Sequence, residues 1–147
     1  QAEGVQVLLI GQKRKASPRS RISRLSAECD LSVAEALERD LDGLVVPGDW
    51  AADKMRTNRS FLEIVQKQFN NGRLLASIAE GHSVLISAKI LEGMKVAGLP
   101  EMKRDIENCG ACQVDQPVYQ DKNLVTSRCT DDLPELMRWV LGYLKAR

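Results

Sequence analysis

Short apolar runs closed by turn residues alternate along this chain with longer stretches whose apolar positions recur every three or four residues. Residues 5–10 form an apolar run closed by Gly11 and read as a buried strand. Gly43-Leu44-Val45-Val46 runs into Pro47-Gly48 as a second buried strand ended by a turn, and residues 74–78 make a third. Helical spacing appears over 59–69, where Phe61, Leu62, Ile64, Val65 and Phe69 share a face and Asn71-Gly72 supplies the stop. Residues 81–91 also read as a helix, with Val84, Leu85, Ala88 and Ile90 apolar, and 100–108 as a short polar one. Val118-Tyr119 and Leu124-Val125-Thr126 flank Asp121-Lys122-Asn123 as a hairpin. A closing helix over 131–145 has Leu136, Trp139, Val140 and Leu144 as its stripe, Asp131 or Asp132 as its cap and Pro134 in its first turn. This alternation predicts a layered α/β domain with a mostly parallel sheet. Sites in such sheets lie at the carboxyl ends of the strands, which points to residues 47–53 and 79–83.

Composition narrows the picture without redirecting it. The chain has 147 residues, 44% apolar and 28% charged, which suits one globular domain over residues 1–147. A net charge of +1 gives no reason to expect nucleic acid, and no run approaches the roughly 18 apolar residues of a membrane helix. Lys13, Arg14, Lys15, Arg19, Arg21 and Arg24 make a basic stretch without interleaved aromatics, read as a solvated loop, with a phosphate-binding patch as the sharper alternative. The start shows neither the charged beginning nor the cleavage site of a signal peptide, and four cysteines are too sparse for a disulfide scaffold, so a cytoplasmic location is expected.

Candidate chemistry is thin. His82 is the one histidine, and with no converging ligands around it neither a metal nor another cofactor is expected. Its plainest role is a helix-start residue satisfied by local hydrogen bonds. Ser77 and Ser83 lie in no nucleophile-elbow motif. Cys109-Gly110-Ala111-Cys112 is a CxxC that follows a helix and precedes a strand, where the helix dipole disfavours thiolate; structural thiols, a reversible disulfide and a metal site are the readings.

Several motifs in order resemble one family. Asp42-Gly43-Leu44-Val45-Val46-Pro47-Gly48 is similar to the "DALVIPGG" segment of PfpI/ThiJ proteins of the DJ-one superfamily, which are glutamine amidotransferase-like, although Asp49 replaces the final glycine. Ala76-Ser77-Ile78-Ala79-Glu80-Gly81-His82 sits where the family has "AAICHGP"; Asp105-Ile106-Glu107-Asn108 and Asp131-Asp132-Leu133-Pro134 continue the match. The resemblance implies a flavodoxin-like three-layer sandwich and a homo-oligomer, dimer or hexamer. It also implies a first strand upstream of Gln1, so the domain is expected to be N-terminally incomplete as given.

Carried over by position, the family's catalytic cysteine falls on Ala79 and its histidine on Glu80, while Asp53 sits where some members place a carboxylate acting across a subunit interface. A methyl group cannot attack a carbonyl, so no intact catalytic set is expected. What remains for a small anionic or carbonyl ligand is a pocket of Gly48, Asp49, Gly81, His82 and Arg128, with the turn as an anion nest. Cys129 beside Arg128 is the substitute nucleophile to consider, and Trp50 either fills the vacated site or makes an oligomer contact. The main expectation is a catalytically degenerate domain with a binding, structural or stress-related role. The alternatives are a cysteine hydrolase of the family (peptidase, deglycase or glyoxalase-like) whose nucleophile Ala79 replaces, and a redox-responsive protein using Cys109 and Cys112.

Overall fold

A computed structural model describes residues 4–18 and 26–146, which divide into two units, one up to Asp40 and one from Leu41 onward. In the first, β1 (Ile10–Gly11) and β2 (Leu31–Ser32) pair in parallel, with Ile10 opposite Leu31. The strand expected over 5–10 is thus reduced to its end: Val7 and Leu9 stand 61% and 41% exposed, so that stretch buries no apolar face. Helix α1 (Val33–Leu37) begins with a capping box. The Ser32 hydroxyl accepts from the Glu35 N–H at 3.2 Å, and the Glu35 carboxylate accepts from the Ser32 N–H at 2.8 Å. That backbone bond, foremost, holds the Glu35 carboxyl below its ordinary range. The basic stretch extends into residues 19–25, which lie outside the described residues.

The second unit is built on a four-stranded sheet ordered β3 (Gly43–Val46), β4 (Leu74–Ile78), β8 (Leu124–Ser127), β7 (Val118–Asp121). β3, β4 and β8 run parallel, and β7 closes the hairpin antiparallel to β8. Every residue of β4 is buried, so its run needs no polar alternation. Leu75 and Leu124 point into one core with Val65, Val84, Leu85 and Ile106; Leu74, Ala76, Ile78 and Val125 point into the other with Leu136 and Val140. Each such burial is worth about 1.5–3 kcal/mol. Helices α2 (Trp50–Met55), α3 (Arg59–Asn70), α4 (His82–Ser87) and α5 (Lys103–Asn108) therefore cover one face and α6 (Leu133–Lys145) the other. This is the three-layer, flavodoxin-like sandwich expected, with a second parallel pair, β5 (Lys95–Ala97) and β6 (Cys112–Val114).

Three expectations change in detail. Helix α4 stops well short of residue 91, because Lys89 turns left-handed at φ 56°, although Ile90 and Leu91 remain buried. Neither aspartate caps α6 with its side chain: the Asp132 carboxylate is taken by Arg128 from the preceding turn. Trp139 leaves the apolar stripe and stands 44% exposed. Among the described residues, no helix is long and apolar enough to cross a membrane.

Candidate active site at the strand-to-helix elbow

β4 delivers the chain, fully buried, to Ala79, which turns sharply at φ 50° into a 3-10 turn (Ala79–Gly81) and then α4. A non-glycine residue in this region is strained by about 1–3 kcal/mol and persists only where its surroundings over-determine it. The surroundings here are the end of β3. A Cβ on Gly81 would lie 2.6 Å from the Val46 carbonyl oxygen and 2.9 Å from that of Pro47. A Cβ on Gly48 would lie 2.9 Å from the Glu80 nitrogen. Two glycines thus let the strand ends meet backbone to backbone, which fixes the turn.

Asp49, the next residue, is strained as well. It sits at φ 62°, ψ −161°, a region essentially reserved for glycine, and gains no side-chain cap bond in return. Its N–H is the anion donor of the loop. The anion it holds belongs to the chain itself: Glu80 Oε2 accepts from the Asp49 N–H at 3.0 Å. Around the nest expected of Gly48 and the 79–81 turn, the one donor seen to hold an anion is the Asp49 N–H, and Glu80 occupies it.

His82 does not line this pocket. It is fully buried, with Nε2 2.6 Å from the Ala97 carbonyl oxygen and Nδ1 3.2 Å from Ser77 Oγ. A carbonyl only accepts, so Nε2 carries the proton and Nδ1 accepts from the Ser77 hydroxyl. Thr126 Oγ1 in turn accepts from the Ala97 N–H at 2.9 Å and donates to the Tyr119 carbonyl at 3.3 Å. The histidine expected at the anion pocket is one link in a buried polar chain joining β4, β5 and β8, and that role was legible only as a helix-start residue with local bonds. Burial, foremost, pushes the His82 pKa below its ordinary 6.5. The unfolded chain therefore takes up a proton near pH 6.5 that the fold resists. Stability conferred by the neutral ring is complete above about pH 6.5 and declines as pH falls from there toward the lower folded-state value. We expect the single histidine Hε1 resonance to hold its neutral position in the folded protein at pH 6, while urea midpoints fall between pH 7.5 and 5.5; a Ser77, His82 double substitution to apolar residues should flatten that fall.

Other expected site residues are dispersed. Arg128 donates to both Asp132 carboxylate oxygens, Nε at 3.0 Å and Nη2 at 3.1 Å, so its charge is already matched within the chain. Those bonds, foremost, hold the Asp132 carboxyl below its usual range. The Cys129 thiol donates weakly to the same carboxylate at 3.7 Å. Asp53 is exposed in the first turn of α2. Trp50 is 58% exposed, so of its two expected roles it does not fill the vacated site. Cys109, half-buried at the C-terminal end of α5, donates to the Ile106 carbonyl at 3.1 Å; Cys112 is exposed at the start of β6, and both are free thiols. Among the described residues, no group of three or more His, Cys, Asp or Glu could hold a metal ion.

A glycine-packed turn with a strained residue at its apex, between a buried parallel strand and a helix, is the geometry that presents a nucleophile. The sequence profile of the DJ-1/PfpI family matches residues 1–142. The chain belongs to this family. A protein named deglycase from Pyrococcus abyssi is 39% identical over 116 residues, 79% of this chain and 70% of the relative. Protein/nucleic acid deglycase 2 of Escherichia coli is 32% identical over 144 residues, 97% of this chain and 84% of the relative. A solved two-domain protein of Anabaena variabilis, with DJ-1/ThiJ/PfpI-like and ferritin-like domains, superposes with a TM-score of 0.93 at 32% identity, over 98% of this chain and 41% of that longer one. The elbow apex is position 79, where this chain carries alanine.

Proposed function

We propose that this domain keeps the backbone of a deglycase-type cysteine site without running its chemistry, and serves as a binding domain within a homo-oligomer. The observation that carries the reading is the pair at the elbow. Ala79 offers no nucleophile, and the Glu80 carboxylate occupies the Asp49 N–H that would otherwise hold an oxyanion. A thiol restored beside Glu80 would also face a like charge that disfavours thiolate. One substitution is therefore insufficient, and Ala79→Cys with Glu80→His is the minimal repair.

The test uses methylglyoxal and a methylglyoxal-modified amino acid as substrates. The unsubstituted chain is expected to turn over neither. The double variant should exceed it by at least about a hundredfold, the usual contribution of a placed acid–base partner. Turnover by the unsubstituted chain would refute the proposal, as would a folded double variant, alkylated at position 79 by peptide mapping, with no activity. A second reading draws on the relatives named deglycase and on the retained φ at Ala79: a hydrolase lacking its thiol alone. Full activity from Ala79→Cys by itself would establish that reading and displace the first.

A further inference from the structure

The four-stranded sheet of the 41–147 unit ends at β7. The hairpin register fixes which of its backbone groups face outward. Tyr119 stands opposite Thr126 and Asp121 opposite Leu124, and the Arg128 N–H donates to the Pro117 carbonyl at 3.3 Å. Residues 117, 119 and 121 therefore turn their backbone groups toward β8. Val118 and Gln120, which alternate with them, turn theirs the other way, and among the described residues no hydrogen bond meets those groups. Such a row is a template for another strand. The usual safeguards do not act here. Pro117 lacks only an N–H that would face β8, and Val118, Tyr119 and Gln120 carry no charge. Along the strand runs a groove of about 370 Å³, lined by Gln116, Val118, Tyr119, Gln120 and Lys122 and, from α6, by the half-exposed Trp139.

We propose that β7 pairs with β7 of a second copy of this chain, antiparallel, about a two-fold axis at Tyr119. A second copy suits this edge because the edge complements itself. With the axis there, each Val118 stands opposite the other copy's Gln120, and each such pair exchanges both of its N–H and C=O bonds. Exposed Lys122 at one end of the edge comes opposite Gln116 at the other, next to exposed Asp115, so opposite charges adjoin. The axis is perpendicular to the sheet, so both α6 helices lie on one side of the joint and the two grooves merge between the Trp139 rings. This names an interface for the homo-oligomer proposed above and rests on that reading, but on none of the elbow residues. One short strand and one groove make a small interface, so a Kd of about 1–100 µM is expected.

Sedimentation velocity and amide hydrogen exchange by NMR on the full chain, from about 1 to 500 µM, test this. Association should appear within that range, and the Val118 and Gln120 amides should slow by at least about tenfold across it, while those of Tyr119 and Asp121, already bonded to β8, change far less. Gln120→Pro removes an outward donor and should weaken association at least about tenfold. Tyr119→Lys sets like charges opposite each other at the axis without removing a backbone bond, and should do the same. Lys122→Glu should weaken association about threefold, and adding Asp115→Lys should restore it. Circular dichroism at the lowest concentration verifies that each variant keeps its fold. A chain that stays monomeric throughout overturns this inference together with the homo-oligomer. Association that both Gln120→Pro and Tyr119→Lys leave intact, or that protects amides elsewhere and not those of Val118 and Gln120, overturns this inference alone.

Discussion

Gly81→Ala is expected to destabilise the domain by about 3 kcal/mol, near the upper end of overpacking costs, whereas Gly142→Ala should stabilise it by up to about 1 kcal/mol. Both are the same chemical change, and the surroundings decide the sign. At Gly81 the added methyl meets two carbonyl oxygens, of Val46 at 2.6 Å and Pro47 at 2.9 Å, and Ser77 Oγ at 3.0 Å. The carbonyls belong to the end of β3 and the turn after it, so relief requires moving a strand end against the sheet rather than rotating a side chain. At Gly142, inside α6, nothing lies within 4 Å of the new Cβ, and only the helix preference of alanine acts. Urea unfolding should resolve the two, and the thermal midpoint of Gly81→Ala should drop by roughly 10 °C. A Gly81→Ala midpoint equal to that of the unsubstituted protein would mean that β3 and the elbow are not in backbone contact. The substitution also separates packing from chemistry, because position 81 bears no reacting group.

How far such features could be read beforehand depends on whether one residue's local pattern carries them. β3, β4, α3 and the β7–β8 hairpin were legible because continuous burial or a one-faced stripe writes itself into neighbouring residues. β5 and β6, of three residues each, leave too little pattern. Helix α1 did carry a signal, the Ser32-to-Glu35 spacing of a capping box, which a search for apolar stripes passes over. Asp132 had the right identity and position for a cap, but Arg128 offers it two charge-assisted bonds, and those win over a single backbone N–H. At the elbow, the alanine at position 79 was plain in the sequence. That Glu80 would reach Asp49 across 31 residues of chain was not, since only the fold brings the two together. His82 illustrates the same limit: its neighbours in sequence suggested a pocket, whereas Ala97 and Ser77 claim both ring nitrogens in the core.

Asp49→Gly should stabilise the protein by about 1–2 kcal/mol, the second-largest effect we expect. Asp49 holds φ 62° and ψ −161° without a capping bond, so its side chain pays strain and returns nothing visible to the fold. Glycine adopts that conformation freely, though its looser unfolded state takes back about 0.5–1 kcal/mol of the gain. A rival cause exists, because the Glu80 carboxylate sits on the Asp49 N–H and removing a second carboxylate nearby would also help. Two further variants separate the causes. Asp49→Asn removes charge but keeps a side chain that this region strains as it does aspartate, and should shift the urea midpoint little. Asp49→Ala removes the same charge but keeps a Cβ with no local hydrogen-bonding group, and should be no more stable than the parent. If Asparagine and alanine variants matched the glycine variant, charge repulsion rather than backbone strain would be the cause. The order glycine well above asparagine, and asparagine at or above alanine, follows only from strain. Strain kept at the residue whose N–H faces the elbow is what a site preserves in order to aim a donor. Asp49→Gly leaves that N–H in place, so the more stable variant is also the sound background in which to introduce a thiol and a histidine at positions 79 and 80.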